Sequence, residues 1–313
     1  MQLARPYSAV PDALEDLFNT GVTTNNTVSF EGFSDRFSYY LSYNNVNNNG
    51  IIPTSYYKRN NIVFNGSADL NSKLSTNFGL QYSNVNLDGK SSGSEFNNPY
   101  QAGIQQPGNI PINELRDYES PFHNFEGYYG SYTPNPFYVM ENEQHISKTN
   151  NILGRMELTY KPIDGLSLTA RVGDNITTQV VENQTPKFAY TTDVWNPDNI
   201  GGSRANDPGE YNIQTSFRND LTLDALATYS KELPADISLT TILGYNFYSR
   251  STKATSSTTT GGLVLPGFYN LSNSVQTPTT ADAQTKYRIG GVFGNVNIGW
   301  RNFLFLDYSA RND

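Results

Sequence analysis

Apolar and polar side chains alternate one for one along much of the chain, in runs that come in pairs joined by short turns. The clearest pair is ILGRMELTYKPIDGLSLTARV, residues 152–172. Going in, Ile152, Met156, Leu158 and Tyr160 alternate with Arg155, Glu157, Thr159 and Lys161. Coming out, Leu166, Leu168, Ala170 and Val172 alternate with Ser167, Thr169 and Arg171. A period of two puts one set on each face of a strand. Pro162-Ile163-Asp164-Gly165 predicts the turn, with Gly165 free to take positive φ. A tight loop over 163–165 sets Glu157 opposite Arg171 as a cross-strand ion pair.

Other stretches repeat this hairpin. Val28 and Phe30 lead through a turn at 32–36 to Phe37, Tyr39, Leu41 and Tyr43. Ile62, Phe64, Ala68 and Leu70 turn at 71–73 and return as Leu74, Phe78, Leu80 and Tyr82. Leu221, Leu223, Ala225, Ala227 and Tyr229 turn at 231–235 and return as Ile237, Leu239, Leu243, Tyr245 and Phe247. Val292, Val296, Ile298 and Trp300 turn at 301–302 and leave as Leu304, Leu306, Tyr308 and Ala310. Between these units the periodicity is lost over about 84–148, 182–212 and the Ser/Thr-rich 252–284, and these read as long loops. Residues 11–18 predict a short helix ahead of the first strand.

About ten strands are expected, with connections that alternate short and long. A soluble β-domain has no reason to gather its short turns at one end. An outer-membrane barrel has short turns on one side, long loops on the other and aromatic girdles between, where Tyr82, Tyr160, Tyr229 and Trp300 would sit. The expected fold is therefore all-β, an antiparallel transmembrane β-barrel portion. The alternative is a soluble or surface-exposed glycan-binding β-protein with one strand face in a core.

Composition agrees. Aromatic residues make up 13% of 313 residues, with 22 Tyr, against 36% hydrophobic overall. Asn is roughly an eighth of the chain, far above ordinary usage. Tyr and Phe favour strands, Asn and Gly favour turns. The net charge of −8 leaves no basic stripe for nucleic acid. Cysteine is absent, so disulfides and thiolate metal sites are excluded. The opening MQLAR has no apolar core of a signal peptide, and the chain stops just after a strand, so a piece of a larger protein is expected.

Several stretches resemble the SusC/RagA family of TonB-dependent outer-membrane transporters: DLFNTGVTTNNTVSFEGFSDRFSYYLSY, NNNGIIPTSYYKRNNIVFNGSADLNSKL, NPFY at 135–138, LPGFYNLSNS at 265–274 and YRIGGVFGNVNIGWRNFLFLDYSARND. They occur in the family's order and span nearly the whole chain. The resemblance implies a bacterial outer-membrane barrel of 22 strands with an N-terminal plug. It implies import of large nutrients such as oligosaccharides or peptides, driven through the plug by the TonB complex and capped outside by a SusD-like lipoprotein. Residues 1–25 would then be a lead-in from a plug and 26–313 a partial barrel. The plug, the rest of the barrel and a secretion signal have no counterpart in the sequence.

No catalytic constellation is present, no cofactor is called for, and a non-enzyme is expected. His123 and His145 lack a metal-ligand pattern. Gly290-Gly291 with Gly294 has no following helix and is no phosphate loop. The polar-face charges Arg155, Glu157, Arg171, Asp220, Asp224, Asp307 and Arg311 fit a lumen lining better than a glycosidase pair. Loop aromatics offer contact area for a glycan or peptide at little entropic cost: Tyr128, Tyr129, Tyr132, Phe137 and Tyr138 in the first long loop, Tyr190 and Trp195 in the second, Phe268 and Tyr269 in the third.

Overall fold

The computed structural model describes residues 6, 8–89, 99–104, 106, 108–109, 111–120, 135–189, 206–301 and 303–313. Among them ten strands form one antiparallel sheet in which each strand pairs with its sequence neighbours. In chain order they are β1 (Val22–Phe33), β2 (Phe37–Asn49), β3 (Tyr56–Asn71), β4 (Leu74–Asp88) and β5 (Gln144–Tyr160). There follow β6 (Leu166–Phe188), β7 (Asp207–Leu233), β8 (Ile237–Leu263), β9 (Ser274–Trp300) and β10 (Leu304–Asn312). Two short helices, α1 (Pro99–Ile104) and α2 (Pro136–Asn142), lie in the β4–β5 connection. β1 and β10 form the two edges and do not pair with each other.

The turns fall where the alternation breaks. β5 and β6 pair with Glu157 opposite Arg171, as the hairpin pattern requires. Gly165 takes φ +78°, and a Cβ there would collide with the carbonyl oxygen of Ser230. That carbonyl belongs to β7, so the turn nests against the next strand, and Ser230 N–H donates to the Gly165 carbonyl at 2.8 Å.

The strands reach further than alternation alone predicts. Residues 252–284, expected as a loop, are largely β8 and β9, paired from Thr252↔Thr285 up to Thr258↔Thr279. Both faces of this ribbon carry Ser and Thr, so no apolar period marks it, yet backbone pairing and β-branched Thr sustain it. β7, β8 and β9 each run 27 residues, against 12 for β1. β1 likewise begins at Val22, paired to Asn49, so the end of the expected 1–25 lead-in is strand. Residues 8–21 lie at the end of the sheet that carries the long connections, where Asn19 N–H donates to the Ile51 carbonyl at 2.7 Å.

The two faces of the sheet are chemically distinct. On one, outward-pointing apolar residues run from Leu74 to Tyr82 on β4, from Ile152 to Tyr160 on β5 and from Val292 to Trp300 on β9. Each run covers about 27 Å along its strand, or about 20 Å along a normal crossed at a tilt of about 40°. That is close to the apolar band of a membrane barrel, and Tyr82, Tyr160 and Trp300 mark its rims. The band does not follow the cross-strand rows. The row through Tyr82 passes Ile152, Ile176, Asn219 and Ser251 to Lys286, already beyond the run that ends at Val292. It slides by about one residue per strand, the stagger that tilted strands in a barrel require. No element among the described residues covers this face, where Leu243 is 60% exposed.

Candidate functional site

The opposite face is concave and polar. One cross-strand row runs Phe33, Ser38, Ser67, Asn77, Glu157, Arg171, Asp224, Asn246 and Gly291 from β1 to β9. Its members bond along the row. Ser38 and Ser67 hydroxyls meet at 2.6 Å, Asn77 donates to Glu157 at 3.2 Å, Arg171 Nε donates to Glu157 Oε2 at 2.5 Å, and Asn246 donates to Asp224 at 2.6 Å. Residues of β1 to β7 line one concavity of roughly 860 Å³ on this side, Glu31, Asn65, Arg155 and Asp224 among them. Arg155 lies across Gly79 of β4, where a Cβ would come within 2.7 Å of its Nε. Glycine at that point lets the guanidinium lie flat along the wall.

The tightest cluster on this face is centred on Asp220. Arg218 Nε, Arg250 Nε and the Tyr248 hydroxyl each donate to it at 2.6 Å, and its side chain is 11% exposed. Paired, charge-assisted bonds on both oxygens are what such a shielded carboxylate requires. Sequence reasoning singled out Asp220 alone. Arg218 shares its face at i−2, and Arg250 comes opposite Asp220 because the turn lies at 234–236, later than the expected 231–235, so the expected turn would have paired Asp220 with Asn246 instead. Asp307 on β10 accepts from Asn295 at 2.9 Å and Asn297 at 3.2 Å, and Arg311 stacks on Phe293 at 6.0 Å. All seven charged residues expected on the polar face are thus on it, in three groups along the wall rather than at one centre.

The long-connection end has its own small core of Leu17, Ile112, Leu115, Phe137 and Met140. NPFY builds its last element: Asn135 caps α2 by accepting from Phe137 N–H at 2.9 Å, Pro136 takes the first helical position, and the Asn135 amide donates to the Leu115 carbonyl at 2.7 Å. Phe137, expected as a ligand platform, is 2% exposed and lies inside this core with Arg116 over its ring at 4.4 Å. The apolar demand of the loop core outweighs exposure at that position. Tyr138 is half-buried in an edge-on stack between Tyr118 and Phe188 of β6.

LPGFYNLSNS closes the β8–β9 hairpin. Asn273 is its hub: its amide donates to the carbonyls of Leu265 at 2.8 Å and Phe268 at 2.6 Å, and its oxygen accepts from Leu265 N–H at 2.9 Å. Phe268 is presented at the tip, 50% exposed. Tyr269 is partly covered, and burial, followed by the nearby Asp207 and Glu143, raises its phenol above the ordinary value. Tyr128, Tyr129, Tyr132, Tyr190, Trp195 and His123 lie outside the described residues. His145 is a strand residue hydrogen-bonded to Asn183. Among the described residues no cluster of His, Asp and Glu is placed to hold a metal ion.

No family model matches the chain. Two TonB-dependent receptors of Formosa agariphila do. P26 is 24% identical over 301 residues, covering 92% of this chain and 28% of the receptor. P3 is 22% identical over 310 residues, covering 96% and 29%. The chain is homologous to TonB-dependent receptors. It spans less than a third of the length of these curated relatives. Its fold superposes on the RagAB peptide importer in the 'open-open' state with a TM-score of 0.71, at 21% identity, over 96% of this chain and 32% of that one. The resemblance to the SusC/RagA family read from the sequence and the receptor-barrel fold therefore agree.

Proposed function

We propose that this chain is part of the barrel wall of a TonB-dependent transporter of the bacterial outer membrane that imports nutrients. One observation carries the reading. A single antiparallel sheet bears an apolar band of constant height that slides diagonally across the strands on its outer face, and a hydrogen-bonded polar wall on its concave face. In a soluble β-protein the uncovered band would need a second layer.

On this reading the concave wall faces the lumen, and the long connections stand on the extracellular side, where cargo enters. Phe268, with Tyr269 beside it, is the described aromatic best presented to an arriving ligand. The homology supports nutrient import; for the cargo, the peptide importer RagAB favours peptides within the wider class of oligosaccharides and peptides. A SusD-like lipoprotein would cap the extracellular side and a plug elsewhere in the protein would contact the TonB complex. The open edges of β1 and β10 call for further strands, because unpaired backbone groups cannot be satisfied in lipid.

The test is growth of a strain lacking the full-length gene on a panel of peptides and glycans as sole nutrient. Loss of growth on one class, restored by the gene, is expected. Wild-type growth across the panel would reject the importer reading.

A further inference from the structure

The strand cations on the two faces differ in their partners. On the concave side four arginines are paired to carboxylates, Arg171 with Glu157, Arg218 and Arg250 with Asp220, and Arg311 with Asp313, and Lys187 donates to the carbonyls of Leu263 and Val264. On the outer side stand Lys58, Lys148, Lys231, Lys253, Lys286 and Arg288, with Lys231 at the short-turn end. Lys148 reaches Glu182 at 3.9 Å. Lys253, Lys286 and Arg288 are exposed, and among the described residues none has an ion-pair or hydrogen-bond partner.

These three are neighbours. Arg288 faces Ser249, Lys286 faces Ser251, and Gln284, the next outward position of β9, faces Lys253 on β8. Same-face neighbours along a strand and diagonal neighbours across a pair stand about 7 Å apart. Arg288, Lys286 and Lys253 therefore form a stepped cluster two or three outward positions beyond the apolar band, on its long-connection side. Asp282, one row further out, accepts from the Thr255 hydroxyl at 3.5 Å and forms no ion pair with Lys253. The cations are interleaved with the hydroxyls of Ser249 and Ser251 and the amide of Gln284.

We propose that Lys253, Lys286 and Arg288 form a binding site for a phosphorylated glycolipid of the membrane leaflet on the long-connection side. This rests on the barrel reading above. The band's edge fixes the height at which lipid headgroups stand. The three cations meet a headgroup phosphate, with the alkyl stems of the lysines lying along the apolar wall. The Ser and Gln side chains between them suit sugar hydroxyls, which a phosphate-only headgroup lacks. The lipid's acyl chains then run down the outer face over Phe247 and Tyr245.

The experiment uses the full-length receptor in detergent, with bound lipid counted by native mass spectrometry. The probes are lipid A, its dephosphorylated form, and lipid A competed with millimolar inorganic phosphate. Lipid A should be retained well below the concentration at which dephosphorylated lipid A is. The Lys253→Gln/Lys286→Gln/Arg288→Gln variant should lose about a hundred-fold in lipid A retention, about five-fold per cation. Equal retention of the two lipid A forms by the wild type, which needs no variant to fold, would overturn the proposal. So would unchanged retention by a variant that still gives a heat-modifiable barrel, or displacement by inorganic phosphate, which would mark an anion site without lipid. A receptor that gives no heat-modifiable band and enters no vesicle would reject the barrel reading itself, and this site with it.

Discussion

Met156→Arg is the most direct probe of the outer face. Met156 stands midway between Ile152 and Tyr160 on β5, is 49% exposed on the apolar side and faces Val172 and Phe78 across its neighbours. An arginine at the midplane of a membrane barrel costs about 2–4 kcal/mol, falling to about 0–1 near the interfaces. At Met156 the cost should be about 3 kcal/mol, over a hundred-fold in the folding equilibrium. Leu158 lies about 5 Å nearer the rim along the normal, given the strand rise and a tilt of about 40°. Leu158→Arg should therefore cost about 2 kcal/mol, and Tyr160→Arg, at the rim, under about 1 kcal/mol. Gln81→Arg on the concave face of β4 should be nearly neutral, since the added charge meets the polar lumen. Denaturant titration of the full-length receptor refolded into lipid vesicles measures all four. Equal costs at Met156 and Gln81, or a flat series from Met156 to Tyr160, would refute a lipid-facing band.

Glu157 and Arg171 are partly exposed, with side chains 28% and 49% accessible, so a double-mutant cycle of Glu157→Gln and Arg171→Gln should give a coupling of about 0.2–1 kcal/mol. A single cysteine at Phe268 should react with an impermeant maleimide on intact cells, whereas one at Asp164 should react only after the outer membrane is opened; the reverse pattern would invert the topology. The Tyr211 phenol lies beyond the band and is held above its ordinary value by burial and then by Glu182. Its stabilisation is complete below about pH 10, where the unfolded phenol begins to ionise, and is lost as pH rises through the folded value. Alkaline unfolding of Tyr211→Phe should accordingly be less steep than that of the wild type, and identical curves would remove this role. Residues 1–313 expressed alone should aggregate or stay partly folded, because both sheet edges carry unsatisfied backbone groups; a monodisperse, protease-resistant barrel would contradict this.

Within the apolar band, local sequence was sufficient. Strict alternation gave each strand its faces, and the Pro-Ile-Asp-Gly turn gave the register that joins Glu157 to Arg171, since one residue of slip would turn the lipid face inward. Beyond the band that signal ends. The Ser/Thr ribbon of β8 and β9 has two polar faces and no period to read, and only pairing with already formed neighbours makes it strand. Phe137 looked like a surface aromatic because nothing local says that Leu17, more than a hundred residues earlier, will close over it. The cluster at Asp220 depends on β7 and β8 lying side by side, and the Lys253, Lys286 and Arg288 group on where a tilted band crosses β8 and β9. Which face a residue occupies is a property of the strand. How high it stands in the membrane, and which distant side chain it meets, is a property of the whole tilted sheet.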